Sequence, residues 1–301
     1  MSTGNHNSSI LSRVKNSGLA LSMAKATSLA MHKVAPDWAS KKIEDLLLLP
    51  KSKRVEKDKI PHGIHLFQIA TPEGSVQAYQ LGQGPTVVLV HGWGTGASPF
   101  FPLMRGLAQC GFKALAFDHL GHGHSDSNKA SLFHFISSTN AVLAHVRKRS
   151  MDGLAAVVGH SMGCIAVANV QTKLIRDIPL MLISPIYDFK AYIARQVNLM
   201  GMHPNLCKQY LARLEQDPKL PLDKIDIRKK LVPYASDIVL VHDKTDEESS
   251  YLDSVKLSAA NPLMKLLLTK GSGHHLVVNS ESVWQQLKSH LNYEDITANR
   301  F

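Results

Sequence analysis

Ser161 stands at the centre of VVGHSMGC (157–164), with Gly159 two residues before it and Gly163 two residues after it. A strand that enters a helix through so short a turn forces its middle residue into a strained backbone, and the two glycines remove side chains that would collide there. The hydroxyl would then project from the top of a sheet as a nucleophile. Glycine and serine also meet by chance in a chain with 19 glycines, so the motif alone leaves a nucleophile and a small spacer residue equally open. A serine nucleophile needs a base, and the base an orienting acid. Two downstream stretches offer them, each just after an apolar run: Asp246 in VHDKTDEES and His274 in GSGHHLVV. Asp243, Glu247 and Glu248 supply further carboxylates beside Asp246, Asp188 follows PLMLIS, and His275 adjoins His274. Residue types alone leave these alternatives open.

Elements able to position these groups are present. Residues 154–158 (LAAVV) suit a buried parallel strand, and 164–170 (CIAVANV) suit a buried helix. After residue 61 strand and helix signals alternate. A hairpin of 64–70 and 75–80 precedes strands at 86–91, 112–118, 154–158, 179–184, 238–242 and 263–268, with helices at 99–108, 131–149 and 280–291. The fold class expected is α/β, with a mostly parallel central sheet and helices on both faces. Residues 186–236 are too long for one crossover and read as a small helical insertion. Phe189, Tyr192, Ile193, Val197 and Met200 share one of its faces, which suits either an apolar acyl site or ordinary helix packing. The division expected is a basic helical arm and linker at 1–60 and an α/β domain at 61–301.

From about residue 64 to 292 the chain resembles the α/β-hydrolase-fold serine hydrolases. The resemblance is carried by VLVHGWG (88–94), DHLGHGHS (118–125), GHSMG (159–163), VHDKTD (241–246) and GSGH (271–274). The chain order Ser161, Asp246, His274 is that of this fold. The resemblance implies that HGWG is an oxyanion loop, with the backbone N–H groups of Trp93 and Met162 as donors contributing about 3–4 kcal/mol each. His91 and Gly92 would shape that loop, and Asp118 and Ser125 would hold the DHLGHGHS turn. His119, His122 and His124 with Asp118 form a rival metal set, but the triad already supplies a mechanism, so no metal and no cofactor is expected. Asp243 stands where many relatives carry glycine, and Asp188 where some members of the fold place the acid. The whole pattern also resembles a group of bacterial esterase- and lipase-like α/β hydrolases, most of them without an assigned substrate.

The reaction implied is hydrolysis of a carboxylic ester or thioester through an acyl-enzyme, on a small and apolar acyl substrate. Acyl transfer near a membrane and carbon–carbon bond hydrolysis stay open, and a non-catalytic binding module is the reading from another class. Composition bounds the rest. With 301 residues, 44% of them hydrophobic, the chain has enough for a sizeable core. Cys110, Cys164 and Cys207 form no close pair, which suits a reducing, cytoplasmic setting. Of the net charge of +10, the larger part lies in residues 1–60, which hold 11 Lys/Arg against 5 Asp/Glu. No aromatic-interleaved basic patch accompanies it, so no nucleic-acid partner is expected. No apolar run reaches transmembrane length, and GLALSMA (18–24), ending at Lys25, is too short for a secretion signal. Residues 10–35 pattern as a basic amphipathic helix, suited to an anionic membrane surface or to packing on the enzyme body.

Overall fold

The computed structural model describes residues 18–49, 52, 54–217, 222–231 and 238–292. The start of the basic helix, parts of the linker and insertion, and the end of the chain lie outside the described residues. The chain forms two compact units, one joining the described part of Met1–Leu47 to Asp188–Leu222, the other formed by Leu48–Tyr187 and Asp223–Phe301.

The larger unit carries one sheet of eight strands: β1 (His65–Thr71), β2 (Gly74–Leu81), β3 (Thr86–Val90), β4 (Lys113–Phe117), β5 (Leu154–His160), β6 (Leu180–Ile183), β7 (Ile238–Asp243) and β8 (Lys265–Thr269). Their order is β1-β2-β4-β3-β5-β6-β7-β8. β2 runs antiparallel to β1 and β4, and the remaining pairs are parallel. All of the expected strands are present. β5 extends two residues past the apolar run because its ladder with β6 continues through Gly159↔Leu182 and His160↔Ile183.

β3, β6 and β7 are buried along their whole length, as strands covered on both faces must be. On one face Val87, Leu89, Ala114, Ala116 and Val158 pack with Met104 and Leu107 of helix Phe101–Gln109 and with Val283 and Leu287 of helix Glu281–His290. Val88 and Val90 alternate to the other face, where helices Leu132–Arg149 and Met162–Ala168 lie against β3. β3 has β4 on one side and β5 on the other. Strand order reverses there, and the carboxyl ends of such strands border the crevice where α/β sheets bind ligands.

In the smaller unit, helices Gly18–Val34 and Pro36–Leu47 join helices Phe189–Leu199 and Pro204–Glu215. Ser28 Oγ accepts the His203 N–H at 2.9 Å, and Arg213 pairs with Glu44 at 3.1 Å. Ala39, Leu47, Ile193, Val197, Leu206 and Tyr210 are buried. The N-terminal helices and the insertion, separate in the sequence reading, therefore share one helical unit.

Candidate active site

Ser161 has φ 55° and ψ −121°, a backbone state that costs of order 1–3 kcal/mol and persists only where its surroundings enforce it. Here β5 delivers the chain into helix Met162–Ala168 with no spare residue. A Cβ at Gly163 would collide with the Val90 carbonyl oxygen and stand 2.6 Å from that of His91, and one at Gly159 would stand 3.1 Å from Cys164 Cα. Gly163 thus lets the elbow sit against the end of β3, and Gly159 lets the following helix fold back onto β5.

The elbow raises Ser161 Oγ to 2.8 Å from His274 Nε2, and His274 Nδ1 lies 2.7 Å from Asp246 Oδ2. A carboxylate only accepts, so Nδ1 carries the proton and Nε2 is left to accept from the serine hydroxyl. Asp246 Oδ1 accepts the N–H groups of Glu248 and Ser249 at 2.8 and 2.9 Å. Burial pushes the Asp246 carboxyl up. Hydrogen bonds from His242 and His274 outweigh that and hold it below the usual carboxylate range. Serine, imidazole and carboxylate, all nearly buried, form one continuous hydrogen-bonded chain. Such a chain can take a proton from the hydroxyl and stabilise the resulting imidazolium.

The loop after β3 runs directly over the elbow: a Cβ on Gly92 would come within 2.8 Å of Ser161 Cβ. Histidines pin this loop. His91 Nδ1 donates to Gly92 O at 2.7 Å, its Nε2 accepts the His119 N–H at 2.9 Å, and His122 Nε2 accepts the Gly94 N–H at 3.1 Å. Trp93 stacks on Phe135, ring centroids 5.8 Å apart. Met162 opens its helix, where backbone N–H groups have no helical acceptor.

The DHLGHGHS turn is scaffold. Asp118 accepts from Ala97 N, Tyr79 Oη and His124 N at 2.8–3.0 Å. Ser125 Oγ accepts from Gln77 N at 2.8 Å and donates to Asp118 O at 2.5 Å. His119 and His122 pack together around His91 and Phe135, with His122 Nε2 holding the Gly94 N–H, while His124 turns away to bond Val55 O. Among the described residues no three His, Cys, Asp or Glu side chains are placed to share a metal ion.

The rival carboxylates have other partners. Asp243 accepts from Thr245, Thr269, Gly271 and Ser272 and so ties the acid loop to the loop that carries His274. Asp188 caps helix Phe189–Leu199 through the Ala191 N–H at 2.9 Å.

Sequence reasoning left two histidines beside the triad unassigned. His242, fully buried on β7, places Nε2 3.2 Å from Asp246 Oδ2 and Nδ1 2.7 Å from Ser254 Oγ, which meets Tyr187 Oη at 2.9 Å. Tyr187, read with the insertion, belongs to this polar chain. His160, beside the nucleophile, donates from Nε2 to the His274 carbonyl at 2.8 Å, and burial pushes it down to about 3, so it remains neutral. The available signal was a histidine inside an otherwise apolar strand run, which must find partners when buried.

Comparison with known proteins agrees with this architecture. The family model described as serine aminopeptidase, S33, matches residues 84–290. Among solved structures, the Pyrococcus furiosus esterase Pf2001 aligns at 17% identity and TM-score 0.61, over 81% of this chain and 97% of its own. Est1E from Butyrivibrio proteoclasticus with bound ferulic acid aligns at 20% identity and TM-score 0.56, over 75% and 99%. A thioesterase domain from the curacin biosynthetic pathway aligns at 14% identity and TM-score 0.54, over 74% and 98%. At these identities the structural likeness is one of fold. No curated protein matches the chain.

Proposed function

The chain belongs to the α/β-hydrolase family described as serine aminopeptidase, S33, and from that premise we propose that it hydrolyses carboxylic esters or thioesters through an acyl-enzyme on Ser161. The observation that carries the reading is the Asp246–His274–Ser161 hydrogen-bonded chain set on a positive-φ serine. His274 takes the hydroxyl proton as Oγ attacks the carbonyl carbon, and Asp246 holds the imidazolium. The proton then passes to the leaving alkoxide or thiolate, and water attacks the acyl-enzyme by the same route. The N–H groups of Trp93 and Met162 are the proposed oxyanion donors, supported by the passage of the Gly92 backbone against Ser161 and by Met162's place in the first helical turn.

The test is turnover of p-nitrophenyl acetate and hexanoate beside an alanine p-nitroanilide, in the native protein and in Ser161→Ala. Ester turnover lost by about 10³-fold or more in the variant supports the reading, given the scale of triad deletions. Ester turnover that survives in Ser161→Ala removes it, and cleavage of the anilide alone replaces it with peptide-bond hydrolysis.

Peripheral contact with anionic membranes through the N-terminal helices is part of the proposal. It is supported by exposed Met23, Met31, Val34, Trp38 and Leu46 beside Lys25, Lys33, Lys41 and Lys42. No helix among the described residues is long and apolar enough to cross a membrane. A cytoplasmic setting is proposed on the free thiols of Cys110, Cys164 and Cys207.

A further inference from the structure

Of the carboxylates on the acid loop, Asp243 and Asp246 are fully engaged. Asp243 is closed off by threonine hydroxyls and backbone N–H groups, and Asp246 by two histidines and two N–H groups. Glu248 differs. Its Oε1 lies 2.9 Å from His275 Nε2, while its Oε2 is turned to His274 Nε2 at 3.8 Å. That nitrogen is the one facing Ser161, at 2.8 Å. Glu248 therefore approaches the reacting side of the imidazole, opposite Asp246, and no step of the proposed chemistry uses it.

We propose that Glu248, steadied by His275, selects substrates by charge, admitting uncharged or cationic acyl groups and turning away those that carry a carboxylate. The inference rests on the ester-hydrolase reading above and gives that site a substrate class. The side chains of Glu248 and His275 are 36% and 57% exposed, against 0% for Asp246, so the pair reaches solvent beside the buried triad. Burial raises the Glu248 carboxyl, but the bond to His275 and the neighbouring imidazoles outweigh it and keep the group ionised; the same bond raises the His275 imidazole, so the pair shows its full negative charge once His275 is neutral. Two like charges about 6 Å apart at a protein surface repel enough to change kcat/KM by roughly tenfold after allowance for solvent. Neutral acyl chains feel no such term.

The experiment uses p-nitrophenyl esters of six-carbon acids matched in length: hexanoate (neutral), the adipate monoester (anionic) and 6-aminohexanoate (cationic). Each is assayed at pH 8 and low salt with the native protein, Glu248→Gln and Glu248→Lys. Glutamine keeps the shape and can still accept from His275. The native protein is expected to favour hexanoate over adipate by about tenfold, Glu248→Gln to remove most of that difference, and Glu248→Lys to reverse it at the expense of the cationic ester. The differences should shrink in 0.5 M salt, where the screening length is about 4 Å. A residue that only braced the loop would slow all three esters together. An adipate-to-hexanoate ratio equal in the three proteins overturns the inference while leaving the hydrolase reading intact. Failure of the native protein to cleave hexanoate in a Ser161-dependent manner overturns both.

Discussion

Asp246 accepts from His274 and, on the same oxygen, from His242. In His242→Phe that second donor is lost and Ser254 Oγ is left without its imidazole partner. A hydrogen bond to a charged group contributes about 1.5–3 kcal/mol, so kcat/KM is expected to fall by roughly tenfold or more. His242→Gln, which can still donate, should recover part of the loss; equal losses in both variants would mean that the ring matters only for packing. Asp188 and Asp246 separate in the same assay. Asp188→Ala removes a helix cap and should cost about 1 kcal/mol of stability with turnover retained, whereas Asp246→Ala should lose turnover by about 10³–10⁴-fold. The reverse pattern would move the acid to Asp188. At this scale, the meeting of Ser161, Asp246 and His274 was legible because a tight elbow and two strand-end loops leave few residue types and one chain order. His242, His160 and Ser254 were not, because their contacts are made across elements and nothing in their local spacing announces them.

The elbow works only if helix Met162–Ala168 can press against the end of β3. Gly163→Ala places a methyl group against the carbonyl oxygens of Val90 and His91, both backbone atoms that cannot move aside cheaply. Overpacking of this kind costs about 1–3 kcal/mol, and urea unfolding should show a loss in that range with turnover reduced. Gly159→Ala, whose nearest contacts are 3.1–3.3 Å, should be the milder of the two; the opposite order would refute this account of the turn. The strands were legible because β3, β6 and β7 are built on short apolar runs, and only their ends shifted. The helical unit was not, since it joins residues as far apart in sequence as Ser28 and His203, 175 positions, and a periodic apolar face does not say which distant helix it will meet.

Across the larger unit, burial holds His91, His119, His122 and His160 below the ordinary imidazole value, so the folded chain keeps them neutral. The unfolded chain binds those protons near pH 6.5. Their stabilising effect is therefore complete above that pH and is lost as pH falls toward the lowered folded values, at about 1.4 kcal/mol per histidine per pH unit. Urea unfolding should show a stability several kcal/mol lower at pH 5.5 than at pH 7.5; equal values would contradict the burial of these rings. His119 is fully buried between Phe117 and Phe135, and its ring nitrogens make no well-formed hydrogen bond among the described residues, so His119→Phe should raise stability by about 1 kcal/mol and flatten the acid slope. The most direct test of the central claim is an intact-mass spectrum of the full chain after treatment with a fluorophosphonate. A single adduct on the native protein, mapped to Ser161 and missing from Ser161→Ala, is the expected result. A folded native protein that stays unmodified, or an adduct that persists in Ser161→Ala, would contradict it.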